Sequence, residues 1–226
     1  IFSWAMGITH HEHGVENVES IVNLALLRGM IGKKNAGLLP LRGHSNVQGV
    51  GSMGVTPALK DIVLKKLEKK RGFRVPQTDG LDTMGCIESS YEGAIDFAFL
   101  MGGNLYAATP DSQYSEQALS NVPFKVFLTT TLNQSHFFGV GEETIILPVA
   151  ARDEEKQPTT QESMFNFVRM SDGGIVRLNN VRSEIDIIAD IAAGTMGNEK
   201  IDFLTFKKHG NIRDAIGQII PGFEKI

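Results

Sequence analysis

The sequence predicts an α/β protein built on a mainly parallel β-sheet flanked by helices. Short apolar, β-rich runs alternate with stretches in which apolar residues recur every three or four positions. Three of those runs end in glycine or threonine turns that lead toward a helix, and a fourth is cut off by Pro148. Strands that alternate with helices pair in parallel, because a parallel connection needs a crossover long enough to hold a helix, and the helices then cover both faces.

The apolar run from Ile1 to Ala5 predicts a first strand stopped at Gly7. Val15, Val18, Val22, Ala25 and Leu26 then fall on one face of a helix that ends near Gly29. From there to Thr56 the chain reads as loop, including the glycine-rich PLRGHSNVQGVGSMG of Pro40 to Gly54. Thr56 as cap and Pro57 in the first helical position open a helix with Leu59, Ile62, Val63 and Leu67 on its apolar side, stopping before Gly72. A short helix around Thr83 to Tyr91 leads into AIDFAFLMGGN, a second strand broken by Gly102 and Gly103. Asp111 caps a helix holding Tyr114, Ala118 and Leu119, after which KVFLTTT and TIILP supply a third and a fourth strand. The charged stretch Arg152 to Gln161 reads as a loop or boundary, and FNFVRMSDGGIVRL as a hairpin about Gly173 and Gly174. Ser183, with Asp186 three residues on, opens a helix with Ile185, Ile188, Ala189 and Ala192 on its apolar face, and a short helix follows Gly210. The expected organisation is an α/β lobe over residues 1–150, continued over 151–226 by a hairpin and helices of the same or an adjoining domain.

Composition narrows the function classes. With 226 residues, 42% apolar and 21% charged, the chain has material for an ordinary globular core. The net charge is −4 and the basic residues are scattered, apart from Lys65, Lys66, Lys69, Lys70 and Arg71, which suit the solvated end of a helix; no nucleic-acid footprint is present. The single cysteine, Cys86, excludes an intramolecular disulfide and a cysteine-rich metal site, which fits a reducing cytoplasm. No apolar run approaches the roughly 20 residues of a membrane span. The chain opens at Ile1 inside a strand, so it is expected to be a piece of a longer polypeptide.

In an open parallel sheet, ligands bind at the carboxyl ends of the strands. Three such ends here, MGITHH, MGGNLYAATPD and TTTLNQSH, carry bare backbone for a phosphate and the polar side chains Asn104, Thr129, Thr130 and Asn133 for a base or ribose. A nucleotide-like ligand follows, although no P-loop and no G-x-G-x-x-G is present. The THHEH cluster of His10, His11 and His13 offers a metal-hydrolase alternative without the usual carboxylate spacing. Arg42, alone among glycines and amides, suits an anion that must come close to backbone, because guanidinium supplies fixed paired donors and the missing side chains supply room.

These residues also carry a resemblance. WAMGITHHEHG is similar to the W-G-M-G-x-x-Q strand-turn of molybdopterin oxidoreductases, and GKKNAGLLPLRGHSNVQG to their P-x-R-G-Q-N-N-V-Q-G region, in the form R-G-H-S-N-V-Q-G of the formate-dehydrogenase-like branch. FLMGGNLYAATPD, TIILP and the pair Ser183–Glu184 resemble later blocks of the same family, so the likeness runs to about Met196. The resemblance implies a Rossmann-like, doubly wound lobe of an enzyme that carries molybdenum or tungsten on bis(molybdopterin guanine dinucleotide). It also implies a small, anionic substrate, an electron-transfer partner, and further domains of the same polypeptide, with the metal ligand and any iron–sulfur cluster upstream of this piece. Arg42 matches the arginine that holds the substrate near the metal, and His44 falls where a glutamine is frequent beside the pterin. Met6, Gly7 and His10 match the first cofactor-lining turn, and Gly43 lies in the arginine loop. Gly102 and Asn104 match the dinucleotide-side turn, Thr129 and Thr130 the pair after the next strand, and Glu184 the acidic residue at a helix start. A non-catalytic relative, like the large iron–sulfur subunit of respiratory complex I, is the alternative within the fold.

Overall fold

The computed structural model describes residues 1–56, 60–165, 167–197 and 199–226. The chain divides into two compact units, one comprising Ile1–Gly49 with Gln161–Arg169, the other Val50–Thr160 with Met170–Ile226.

In the first unit, β1 (Phe2–Trp4) leads into the single helical turn α1 (Met6–Thr9) and then α2 (Gly14–Leu27). β2 (Leu38–Pro40) lies parallel to β1, with Phe2 opposite Leu38 and Trp4 opposite Pro40. The loop expected between Gly29 and Thr56 therefore contains a strand, and also the helix α3 (Val47–Ser52), within which the division between the units falls. α2 forms where its apolar spacing predicts, yet it buries only Gly14 and Ala25, while Val15, Leu26 and Leu27 stay exposed. Two three-residue strands offer too little surface to cover an apolar helix face.

The second unit holds α4 (Asp61–Arg71), α5 (Thr83–Tyr91), β3 (Phe97–Met101), α6 (Leu105–Ala108), α7 (Ser112–Ser120), β4 (Phe124–Thr129), β5 (Glu143–Pro148), α8 (Glu184–Met196) and α9 (His209–Ile219). Its sheet is parallel, in the order β3-β4-β5. Pro57 and Leu59, on which the expected opening of the α4 helix rests, lie outside the described residues. The helix ends as expected, with Gly72 in the left-handed region at φ 68° and its N–H returning to the Glu68 carbonyl. The parallel α/β class is observed, with the strands shared among separate sheets, because β1 pairs with β2 and not with β3–β5. The hairpin expected about Gly173 and Gly174 is displaced: β6 (Thr160–Glu162) pairs with β7 (Val168–Met170), so the reversal lies between them. Gly173 and Gly174 instead press against the Lys156 and Asp153 carbonyls, where a Cβ would come within 2.3 Å and 2.2 Å.

β4 is the centre of this unit. Val126, Phe127 and Leu128 are consecutive and all buried, which requires cover on both faces of the sheet. Leu128 packs with Val149 and Ile187 of α8, while Ile87 of α5 clusters with Ala118 and Leu119 of α7. Helix starts follow local chemistry: Asp111 Oδ1 accepts from Tyr114 N at 2.9 Å and Ser183 Oγ from Asp186 N at 3.1 Å. Ser183→Ala is expected to cost about 1 kcal/mol, read as a lower unfolding midpoint, because the α8 N–H loses its acceptor.

Lys125 is fully buried on β4, with Nζ donating to the Val122 carbonyl at 2.7 Å and no carboxylate partner among the described residues. Burial pushes its amine down to about 8. Because the folded value lies below that of the unfolded chain, the unfolded state binds the extra proton between these values. Stability should therefore rise with pH from about 8 to 10.5, by roughly 2–3 kcal/mol. Lys125→Met is expected to abolish that rise in pH-dependent thermal unfolding; a rise that persists would assign it to other groups.

Candidate functional site

In the first unit the two parallel strands deliver their carboxyl ends to one cavity. Trp4, Ala5 and Met6 leave β1, Pro40, Leu41 and Arg42 leave β2, and the Leu41 N–H donates to the Trp4 carbonyl at 2.7 Å. The cavity has a volume of about 470 Å³ and is completed by Thr9, Gly43, His44, Val47, Gln48 and Met164. Gly43 brings the two exits together, since a Cβ there would stand 3.3 Å from Met6 Sδ.

Arg42 and His44 are both exposed on this cavity. Arg42 Nη2 donates to Gln48 Oε1 at 3.1 Å, and among the described residues no carboxylate lies within ion-pair distance of the guanidinium. The cation retains its full charge and several free N–H donors, which is the requirement for receiving an anion. Gly7 sits within α1 at a position where a Cβ would meet nothing within 4 Å, so no neighbour in this unit excludes a side chain there. His10 closes α1 through its backbone, its N–H returning to the Met6 carbonyl at 2.9 Å.

The histidine cluster does not assemble into a metal centre. His11 Nε2 is bonded to Asn17 Nδ2 at 2.8 Å, and among the described residues no group of three or more His, Cys, Asp or Glu side chains converges on one point. The hydrolase alternative has no donor set among those residues.

In the second unit the ends of β3 and β4 form a polar turn. Gly102 and Gly103 follow β3 with φ of 61° and 74°, a pair of left-handed residues that only glycine adopts without strain, and open space lies at both Cβ positions. The Gly102 N–H donates to the Leu128 carbonyl at 2.7 Å, carrying the pairing one residue past the strand. Asn104 Oδ1 accepts from Ala107 N at 3.3 Å and from Ser135 Oγ at 2.6 Å, while Ser135 Oγ accepts from Tyr106 N at 3.0 Å. Asn133 Nδ2 donates to the Gly103 carbonyl at 2.8 Å. The carbonyl end of Asn104 is thus committed to the protein, and its Nδ2 has no partner among the described residues. Thr129 is buried, its hydroxyl donating to the Thr131 carbonyl at 2.6 Å, so it shapes the turn; the exposed Thr130 presents the free hydroxyl.

Glu184 opens α8, half-buried, and burial pushes its carboxyl up. Next to it, Ser183 and Asp186 line a polar cavity of about 310 Å³ beyond the carboxyl end of β5, where Ala150 N donates to the Arg182 carbonyl. Its two arginines are paired within the unit: Arg177 with Asp153 and Glu154, and Arg182 with Asp190, which Lys207 also holds at 2.5 Å. The Lys207 hydrogen bond, then that of Arg182, keeps the Asp190 carboxyl below the usual carboxylate range.

Of the site residues expected from the sequence, Met6, Gly7, His10, Arg42, Gly43 and His44 lie in the first unit, and Gly102, Asn104, Thr129, Thr130 and Glu184 lie in the second. Gln48, Ser135 and the Gln161–Met164 segment are not among the site residues expected from the sequence. Gln48 has a local signal, since it follows Arg42 by six residues in the same motif. The return of Gln161 to the Ser45 carbonyl and of Glu162 N to Asn46 Oδ1 spans 116 residues and has none.

A family model described as molybdopterin oxidoreductase matches residues 1–193. An uncharacterized oxidoreductase of Mycobacterium tuberculosis is 36% identical over 231 residues, which cover 98% of this chain and 30% of the relative. The protein YdeP of Escherichia coli strain K12 is 34% identical over 233 residues, covering 99% and 30%. A putative formate dehydrogenase of Staphylococcus haemolyticus is 34% identical over 235 residues, covering 99% and 22%. The chain thus spans less than a third of the length of these relatives. With the matched stretch running from β1 through most of α8, including the arginine loop and the glycine turn after β3, the chain belongs to the molybdopterin oxidoreductase family.

Proposed function

We propose that this chain is the cofactor-binding segment of a bis(molybdopterin guanine dinucleotide) oxidoreductase that carries out two-electron chemistry on a small anionic substrate. The observation that carries the reading is Arg42, a cation with no carboxylate partner among the described residues, set where two parallel strands end beside open backbone. The residues fit the cofactor. Gly7, Gly102 and Gly103 leave open space where a Cβ would stand, as a pterin or diphosphate approaching backbone requires. Within the second unit, Asn104 Nδ2, the Thr130 hydroxyl and the half-buried Glu184 offer polar contacts to a nucleotide; within the first, Met6 and Gly43 line the cavity beside Arg42.

When bound, the group would supply a molybdenum or tungsten ion able to exchange two electrons. Arg42 binds the substrate anion and orients it with paired N–H donors. His44 lines the same cavity and can hold or return a proton at a ring nitrogen. The exposed Val15, Leu26 and Leu27 of α2 are a surface for the remaining domains of the same polypeptide. The single cysteine accords with a cytoplasmic location, and no helix among the described residues is long and apolar enough to cross a membrane.

Formate, named in the staphylococcal relative, is the first anion to test. Metal analysis and pterin fluorescence of the full-length protein are expected to find molybdenum or tungsten together with a pterin dinucleotide. A full-length protein without either, even when produced with ample metal, would identify the non-catalytic alternative.

A further inference from the structure

The side chain that orients Arg42 is an amide. Arg42 Nη2 donates to Gln48 Oε1, and both residues line the same cavity. The backbone that carries Gln48 is fixed in place: the adjacent Gly49 is buried, a Cβ there would stand 2.4 Å from Asn46 Oδ1, and that oxygen accepts from Glu162 N at 2.9 Å. Gln48 is therefore presented to the guanidinium from a pinned turn.

An amide oxygen and a carboxylate oxygen accept the same hydrogen bond from guanidinium, with opposite consequences for a third group. The amide directs the planar fork and leaves its charge uncancelled. A carboxylate would direct it equally well and neutralise it, so that an incoming anion would have to displace an ion pair. Glutamine and glutamate have the same size and reach, so steric fit does not distinguish them here. What distinguishes them is charge, and no carboxylate stands within ion-pair distance of Arg42 among the described residues.

We infer that Gln48 is a positioning residue that aims the Arg42 guanidinium, and that its neutrality is what leaves the cavity able to take an anion. This rests on the anion reading of the cavity given above. Gln48 does not itself contact the reacting atoms; it acts through Arg42.

The test uses the full-length, cofactor-loaded protein at neutral pH, with azide as the probe and the visible or electron-paramagnetic-resonance spectrum of the metal centre as the readout. Parent, Gln48→Leu, Gln48→Glu and Arg42→Ala proteins are compared, each with its metal and pterin content measured. Gln48→Leu, which only frees the guanidinium, is expected to weaken azide binding about threefold, and Gln48→Glu, which neutralises it, by about tenfold or more. That order is the informative result, because a purely structural acceptor would be replaced well by glutamate and badly by leucine. Azide binding in Gln48→Glu equal to the parent, or weakened less than in Gln48→Leu, overturns the inference, as does loss of cofactor from Gln48→Glu. If the parent does not bind azide, or Arg42→Ala binds it as well as the parent, the anion reading fails and takes the inference with it. If Arg42→Ala loses azide while the two Gln48 variants behave alike, the anion reading stands and Gln48 alone is excluded.

Discussion

Arg42→Ala in the full-length protein is expected, on the proposed function, to lower kcat/KM for formate by about 10²–10³ while leaving metal and pterin content unchanged. The reasoning is electrostatic. Arg42 lies at the carboxyl ends of β1 and β2 with one neutral partner and no acidic one among the described residues, so its charge is available to the ligand. Removing it deletes paired donors from a cavity of about 470 Å³ without unpairing a carboxylate elsewhere, so the fold should be indifferent to the change. Arg42→Lys keeps a point charge and loses the planar fork, and is expected to fall between parent and alanine. Formate-dependent dye reduction, with cofactor content as control, measures both. An alanine variant as active as the parent would remove Arg42 from the substrate site.

The second large effect is on stability. Leu128 is fully buried near the carboxyl end of the central strand β4 and packs against Val149, Ile187, Phe99 and Leu147. Leu128→Ala is expected to cost about 2–5 kcal/mol, the transfer term plus a cavity that neighbours hydrogen-bonded on both sides of β4 cannot close. Against a domain stability of about 5–15 kcal/mol this is a large fraction. The unfolding transition that contains this unit should move down by roughly 5–15 °C in calorimetry of the full-length protein. A shift below about 2 °C would mean that β4 is not the centre of the unit's core.

The two variants separate function from folding, because one acts on an exposed cation and the other on a buried hydrocarbon. The same separation runs through the glycines. Gly141 would bring a Cβ to 2.1 Å from the Val122 carbonyl, and Gly174 to 2.2 Å from that of Asp153, so both are required by packing. Gly7, Gly102 and Gly103 meet no such obstacle; at Gly102 and Gly103 it is the positive φ, not packing, that calls for glycine. Sequence reading sees all of these as the same letter.

Local chemistry made much of the fold legible. The Thr83–Tyr91 helix, the stop at Gly72 and the caps Asp111 and Ser183 depend on hydrogen bonds that close within four residues, so neighbouring side chains suffice to specify them. β4 was legible because a strand buried on both faces is a continuous apolar run, and β3 and β5, though partly exposed, carry the same kind of apolar run. Arg42 stood out for a similar reason, a lone cation in a stretch without acids.

What the sequence by itself determined, then, is the set of elements whose free energy is local, together with the residue types gathered at the strand ends. The tertiary structure alone decided that Leu38–Pro40 is a strand, that β1 joins it and not β3, that Gln161–Glu162 returns to the arginine loop, and that Lys125 is buried without a countercharge among the described residues. A three-residue strand has no periodicity to read, and pairings across 36 or 116 residues are selected by the total burial and hydrogen bonding of the folded chain.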